Sequence, residues 1–271
     1  MNIQQSEFTN SLRQWRRYRK MSQLDLAVAA DVSQRHVSWL ETGRSQPSRD
    51  MVLRLSDAMD VPLRDRNQFL NTAGFAAIYT ENSLDEPSME SVRQVLNDIL
   101  LHHNPYPAFV LDRYWNIQMQ NESTDRLFAI AGDPQMLWDA VGDSGERNIA
   151  LLTVHPNGLR QFIANWELVI GQFMRRLKSE AIDSGDANVM QRYTQLERHV
   201  EIPDTPLTAE LLPMLSLEFV KGDLTLSFCS VISSFGTAQD VTANELRIET
   251  FYPSDDATRT ILAGSMNATI D

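Results

Sequence analysis

The sequence predicts an α+β protein with two domains: an all-α first domain of five helices, followed by a domain of strands and helices. Through roughly the first seventy residues, apolar side chains recur at steps of three and four, as they do on one face of a helix. Around residues 106–119 and 215–252, apolar and polar residues alternate as they do in strands. The chain has 271 residues, 42% of them hydrophobic, which is enough for two ordinary cores.

The first helix is predicted over residues 6–18, because their apolar side chains repeat with helical spacing. A second helix over residues 23–30 follows a short break and begins after Ser22, whose hydroxyl can cap it. We expect its inward face to be formed by Leu24, Ala27 and Val28.

A third helix follows so closely that the pair reads as helix, tight turn, helix. Ser33 is placed to cap residues 34–42, Val37 and Leu40 are expected to point inward, and Gly43 lies where a left-handed C-terminal cap is needed. In such a pair the first helix braces the second, whose N-terminal residues then enter the major groove of DNA. The arrangement predicts a helix-turn-helix domain with double-stranded DNA as its partner.

Two more helices complete the first domain, one opening at residues 47–50 and the other covering residues 63–73. The polar, turn-rich segment that follows is the natural domain boundary. We therefore expect domains at residues 1–79 and 91–271, joined by a linker at residues 80–90.

The second domain is predicted to carry strands at both ends and to be mostly helical in its centre. Its predicted helices include residues 91–103 and a long amphipathic helix over residues 157–181. Its predicted strands cover residues 106–111, 115–119, 215–220, 224–231 and 246–252.

Charge is divided unevenly between the two domains. Residues 1–79 hold 11 Lys or Arg and 8 Asp or Glu, a net charge of +3, whereas the rest of the chain has a net charge of −15. Binding to phosphates depends on Lys and Arg, so we expect the DNA-contacting surface on the first domain. We interpret Arg175, Arg176 and Lys178 as the solvated face of their helix.

The third helix supplies the preferred base readers. Arg35 can bind both acceptors of guanine, a contact worth about 1 to 3 kcal/mol of discrimination, and Gln34 can serve adenine in the same way. Gln23 and the arginines near the fourth helix suit phosphates instead. The predicted DNA-binding residues are Gln23, Ser33, Gln34, Arg35, His36, Ser38, Trp39, Arg44 and Arg49.

Three motifs carry a specific resemblance: MSQLDLA at residues 21–27, VS at 32–33 and WLETGR at 39–44. They resemble the XRE (Cro/phage-repressor-like) helix-turn-helix family. The resemblance implies that Arg16 in the first helix pairs with Glu41 at the end of the recognition helix. One position departs from the family, since Asp31 stands where glycine is common, but Asp tolerates a left-handed conformation better than most residues.

Further motifs extend the resemblance over nearly the whole chain. They are ETGRSQPSR at residues 41–49, PLRDRN at 62–67, PYPA at 105–108, HPNGLR at 155–160, NWE at 165–167 and FGT at 235–237. Together they resemble the MmyB-like regulators. What that family implies is a C-terminal PAS-like domain, a curved antiparallel sheet with helices closing a pocket, for which a long-chain fatty acid is a known type of ligand.

A pocket for an acyl chain needs apolar walls and a group that meets the carboxylate. The wall candidates are Phe109, Trp115, Leu151, Phe162, Trp166, Phe228 and Phe251, and the head-group candidates are Arg113, Tyr114, His155 and Arg160. Each wall candidate also fits an ordinary core, so the alternative is a filled domain that serves only for oligomerisation or protein interaction.

Other classes of protein have little support. The histidines show no metal-ligand spacing, and we find no nucleophile motif or phosphate-binding glycine loop, so we expect no enzyme, no metal and no cofactor beyond a bound apolar ligand. Cys229 lies in an apolar run and has no second cysteine to pair with, which fits the cytoplasm. No stretch is apolar enough for a membrane span. We expect a homodimeric, ligand-responsive transcriptional regulator.

Overall fold

A computed structural model describes the chain over residues 3–142, 145–201 and 214–267. These residues form two compact units. The first comprises Met1–Ser83 together with Gly236–Asn244, and the second comprises Leu84–Phe235 together with Glu245–Asp271. The second unit is therefore interrupted in sequence, because nine residues that follow its fourth strand belong to the first unit.

The first unit contains the five predicted helices: α1 Ile3–Tyr18, α2 Gln23–Ala29, α3 Gln34–Glu41, α4 Arg49–Ala58 and α5 Leu63–Thr72. Ser22 and Asp25 form a reciprocal capping box at the start of α2, and the hydroxyl of Ser33 accepts a hydrogen bond from the backbone N–H of His36. Gly43 has a φ of 69° and ends α3 as predicted. Asp31 has a φ of 51°, so it adopts the left-handed conformation that the turn between α2 and α3 requires.

The inward face of α2 differs from the prediction. Leu24 and Val28 are 54% and 73% exposed, whereas Leu26, Ala27 and Ala30 are buried. Gln23 begins this inward face of α2, at a helical spacing of three residues before Leu26. Gln23 is polar, and its side-chain amide donates a hydrogen bond to Glu41. The inward face therefore cannot be found from apolar residues alone, because the amide of Gln23 bonds to Glu41 at its first position. Val37 and Leu40 of α3 are both fully buried, as predicted.

The second unit is built on a five-stranded antiparallel sheet in the order β2-β1-β5-β4-β3. The strands are β1 Ala108–Leu111, β2 Ile117–Gln120, β3 Leu217–Lys221, β4 Leu224–Ser233 and β5 Arg247–Pro253. The helices are α6 Glu90–His103, α7 Glu122–Ala131, α8 Pro134–Ala140, α9 Ile149–Val154, α10 Trp166–Asp183, α11 Ala187–Glu197, α12 Val241–Glu245, which crosses the unit boundary, and α13 Asp256–Asn267. The predicted α+β class is confirmed.

The two faces of the sheet pack into two different cores. Ala108 and Val110 of β1 pack with residues of α6 in a small core, while Phe109 and Leu111 belong to the larger core of the unit on the opposite face. This alternation follows from the twofold period of side chains along a strand. The larger core includes the central helices, of which the long helix α10 contributes Ile170, Met174 and Leu177.

The prediction of one helix over residues 157–181 is wrong for about its first third. The chain forms a short 3-10 helix at Leu159–Phe162, and α10 begins only at Trp166. Between them, Ile163 forms an isolated bridge with Phe219, and the N–H of Ala164 donates to the carbonyl of Glu218 at 2.9 Å. These backbone groups bond to β3, so they are not free to continue a helix.

In the described part of the chain, the second unit also differs from the prediction after β5, because helix α13 follows that strand. Within the described residues, no helix combines the length and the apolar composition needed to cross a membrane.

Candidate functional site

The first candidate site is the surface around α3, and a buried ion pair holds that helix in place. The Nε of Arg16 donates to Oε1 of Glu41 at 2.6 Å, and Nη2 of Arg16 lies 3.1 Å from Oε2. Gln23 also donates to Oε2 of Glu41, at 2.7 Å. The pairing of Arg16 with Glu41 that the family resemblance implied is therefore present, and it joins α1, α2 and α3.

Glu41 stays ionised in this setting. Burial acts to raise the pKa of the Glu41 carboxyl, but the hydrogen bonds from Arg16 and Gln23 and the charges of Arg16 and Arg13 together hold that pKa below its ordinary value. A carboxyl with a lowered pKa stabilises the fold above its ordinary pKa. That contribution is lost as the pH falls through the lowered value.

The start of α3 presents exposed polar side chains. Gln34 and Arg35 are exposed and His36 is half-buried. The guanidinium of Arg35 lies 4.5 Å from the centre of the Trp39 ring, one helical turn along. This distance is typical of a cation–π contact, which restricts the directions that the guanidinium samples. Arg35 is therefore both exposed and oriented.

The other predicted DNA-binding residues surround this face. Arg44 and Arg49 are exposed, beyond the end of α3 and at the start of α4. Ser38 is half-buried, and the hydroxyl of Ser33 caps α3. One hydrogen of the Gln23 amide is committed to Glu41, so at most the other can reach a phosphate.

The second candidate site is a cavity of about 270 Å³ inside the second unit. It lies against the sheet face that carries the larger core, with side chains of α10 on its opposite side. Most of the lining is aliphatic or aromatic. Five of the predicted wall residues line it: Phe109, Trp115, Trp166, Phe228 and Phe251.

Two predicted wall residues lie elsewhere. Leu151 lines a separate cleft with His199 and Arg192. Phe162 does not line the cavity because its ring packs on Phe219, with ring centres 5.5 Å apart, and is covered by the ammonium of Lys221.

The four predicted head-group residues also lie outside the cavity lining, because each has other partners. Arg113 donates to Asp186 at 2.7 Å and to Glu245 at 2.8 Å, and it is almost fully buried. Tyr114 lies between two guanidinium groups, those of Arg113 and Arg192.

The same holds for the remaining two head-group candidates. The ring of His155 lies 4.9 Å from the ring of His199. Arg160 donates to the backbone carbonyl of His199 at 3.1 Å, and its guanidinium packs on Trp166. Both residues therefore help to hold the segment around His199.

The charged residues that do line the cavity are Arg176 and Glu249, as far as the described residues show. Nη1 of Arg176 donates to Oε1 of Glu249 at 3.0 Å, and Nη2 lies 3.5 Å from Oε2. Glu249 is only 5% exposed and lies on β5, the central strand of the sheet. Carboxylates are rarely buried unless they are paired, and Arg176 provides that partner here.

A second carboxylate lies beside this pair. Oε1 of Glu180 is 3.8 Å from Nε of Arg176, too long for a hydrogen bond, and Oε2 of Glu180 accepts a hydrogen bond from Nε1 of Trp115 at 2.7 Å. Nε of Arg176 is buried and has no hydrogen-bond partner among the described residues.

The sequence interpretation of Arg176 as part of a solvated helix face is therefore wrong, although Arg175 and Lys178 are exposed as expected. A signal was present. Arg176 falls on the apolar stripe of α10, seven residues after Val169 and three after Phe173, and both of these residues line the cavity.

Comparison with known families agrees with the division of the chain into two units. Residues 92–263 match the family described as the MmyB-like transcription regulator ligand binding domain. Residues 7–69 match a helix-turn-helix domain. No curated protein matches the chain. The cavity thus lies in the part of the chain that matches a ligand-binding family, and α3 lies in the part that matches a DNA-binding one.

Proposed function

We propose, since this chain belongs to the family of MmyB-like transcription regulators, that its first unit binds an operator and that a small hydrophobic ligand in the cavity adjusts that binding. The observation that carries the proposal is the apolar cavity inside the region that matches the ligand-binding family. A long-chain fatty acid is the first ligand class to test, because the resemblance to MmyB-like regulators suggests it. We also propose that the sheet is PAS-like.

For the DNA side, we propose an XRE-type reading mode. The N-terminal end of α3 lies in the major groove, Arg35 binds guanine there, and Arg44 and Arg49 contact phosphates. Support comes from the exposure of all three side chains and from the contact of Arg35 with Trp39. The buried bond of Arg16 to Glu41 fixes α3 against α1, so the reading helix enters the groove as a rigid element.

For the ligand side, the size and lining of the cavity support a small apolar molecule. Typical ligand sites have volumes of about 300 to 1,000 Å³ and hold mainly hydrophobic and aromatic side chains with a few polar groups. A cavity of about 270 Å³ lies just below the lower end of that range, so it suits a small ligand.

A homodimer on a pseudo-palindromic operator completes the proposal. Helix-turn-helix proteins commonly read two half-sites spaced by one turn of DNA, and a ligand changes affinity when it favours one placement of the two reading helices over another. The sign of the regulation follows from which placement the ligand favours.

Two experiments test the two halves. The DNA half is tested by selecting an operator from a random duplex library with the full chain and comparing Arg35→Ala with Arg175→Ala, which removes an exposed arginine from the second unit. We expect Arg35→Ala to weaken specific binding by about 1 to 3 kcal/mol and to relax the preference at one base pair. Equal affinities for the two variants would contradict the reading mode.

The ligand half is tested by native mass spectrometry of the purified chain before and after extraction with organic solvent. We expect a bound small molecule in stoichiometric amount before extraction. A chain that carries no ligand and binds none of a panel of fatty acids and other acyl-chain lipids would instead support a domain that serves only for oligomerisation or protein interaction.

A further inference from the structure

We infer that Trp39 reads the C5-methyl group of a thymine, at the base pair next to the guanine that Arg35 binds. The inference rests on the proposed function, because it adds the identity of a second base to the same reading mode. It depends on the exposure of the Trp39 indole, on its contact with Arg35 and on the chemistry of the major groove.

Trp39 carries apolar surface that the first unit does not use for its core. The residue is 37% exposed, although tryptophan is highly buried on average. Among the described residues, Trp39 belongs neither to the buried core of the first unit nor to the partly buried side chains packed against that core, whereas Trp15 does pack there. The exposed part of the indole is therefore available to a partner of the first unit.

Arg35 and Trp39 share one face of α3. They are four residues apart, a spacing that makes side chains neighbours on a helix, and the guanidinium lies 4.5 Å from the centre of the Trp39 ring. Successive bases of one strand are about 3.4 Å apart along the duplex. A guanidinium that binds a guanine therefore holds the indole about one base-pair step away from that guanine.

The base edges in the major groove present one kind of apolar group. Guanine, adenine and cytosine show only hydrogen-bond donors and acceptors there, whereas thymine adds its C5-methyl group. The Trp39 indole has a single donor, its N–H, and is otherwise apolar. Contact with a methyl group buries apolar surface of both partners, whereas contact with a polar edge removes water from groups that the ring cannot satisfy. Thymine is therefore the base that an indole in this position favours.

The test replaces single thymines in one half-site of the selected operator by 2′-deoxyuridine, which lacks the C5-methyl group and keeps every hydrogen-bonding group of thymine. The guanine is located as the base pair at which Arg35→Ala relaxes the preference, and binding of the full chain is measured by anisotropy of a labelled duplex. At the neighbouring pair, we expect uracil to weaken binding about fourfold, which corresponds to about 0.8 kcal/mol for burying one methylene-sized group.

The control duplex carries uracil at a thymine outside both half-sites and should bind as the unmodified operator does. Equal affinities for thymine and uracil next to the guanine would overturn the inference. An operator that has no thymine next to that guanine would overturn it as well. The comparison also excludes a bond from the indole N–H to thymine O4, because uracil keeps that oxygen.

A set of variants assigns the methyl contact to Trp39. Trp39→Gln removes the apolar ring, so we expect the fourfold preference for thymine over uracil to fall to about one, and Trp39→Phe should keep a preference for thymine. Val28→Gln is the matched control, because Val28 is 73% exposed on α2 and its loss should leave the preference unchanged. A folded Trp39→Gln chain with the full preference would contradict the assignment. If that variant does not fold, the wild-type comparison decides.

The failures of the two proposals look different. Equal binding of the thymine and uracil duplexes, with a preference at one base pair that Arg35→Ala still relaxes, overturns the methyl contact and leaves the reading mode. A full chain that selects no operator overturns the DNA half of the proposed function, and the methyl contact with it.

Discussion

The arginines around α3 and those near the cavity are used in different ways. Around α3, Arg35, Arg44 and Arg49 are exposed, and the guanidinium of Arg35 packs on the ring of Trp39. In the second unit, the side chains of Arg113 and Arg176 are 9% and 29% exposed, and both pair with carboxylates. The exposed arginines around α3 are therefore better placed to contact DNA, as the proposed reading mode requires.

The largest expected effect is on the buried ion pair of the first unit, in which Arg16, unlike the exposed arginines around α3, pairs with a carboxylate. Arg16→Met leaves Glu41 buried without its main partner, and we expect a loss of about 3 to 5 kcal/mol in the free energy of unfolding. Urea unfolding of the full chain, followed by a probe on the first unit, measures it.

The matched control for this prediction is Arg17→Met, an exposed neighbour on the same helix. It should change stability by less than about 0.5 kcal/mol. An equally small change in stability for Arg16→Met would show that the ion pair of Arg16 and Glu41 does not hold α3 in place.

The next effect is on the cavity. Val169→Trp places an indole in the cavity, so we expect ligand affinity to fall by more than about tenfold while the thermal midpoint changes little. Val231→Trp adds the same side chain at a position on β4 that is 47% exposed. If both variants bind a long-chain fatty acid as the wild type does, the cavity is not the binding site.

A smaller effect distinguishes phosphate contacts from base contacts within the first unit. Arg44→Ala should weaken specific and nonspecific DNA binding alike, and it should reduce the slope of log affinity against log salt concentration by about 1. Fluorescence anisotropy over a series of salt concentrations measures the slope. A loss confined to one operator sequence would instead place Arg44 at a base.

The smallest effect concerns the corrected face of α2. Leu24→Gln should change the free energy of unfolding by less than about 0.5 kcal/mol, because Leu24 is 54% exposed. Leu26→Ala should cost about 2 to 5 kcal/mol, because Leu26 is completely buried. Comparable losses of stability for the two variants would contradict the exposed position of Leu24 and support the inward face that the sequence predicted.

Structural features that depend on residues close together in sequence could be predicted. Ser22 and Ser33 cap helices through bonds that span three residues, and Gly43 and Asp31 take left-handed conformations that their residue types permit. Phe109, Phe228 and Phe251 were predicted as wall residues because their side chains are apolar, and all three line the cavity.

Long-range pairing was not predictable in the same way. Arg176 and Glu249 are 73 residues apart, and nothing in the local sequence of either indicates the other. The same limit applies to Arg113, whose partners Asp186 and Glu245 lie 73 and 132 residues away in sequence. A charged residue on an apolar helical stripe is the one local signal that pointed to Arg176.

The most direct test of a ligand-controlled regulator is the affinity of the full chain for its selected operator, with and without a saturating long-chain fatty acid, measured by anisotropy of a labelled duplex. We predict that the fatty acid changes the dissociation constant of the wild type at least about threefold, and that Val169→Trp abolishes the change while keeping the unliganded affinity. An operator affinity that is the same with and without bound ligand in the wild type would contradict the account.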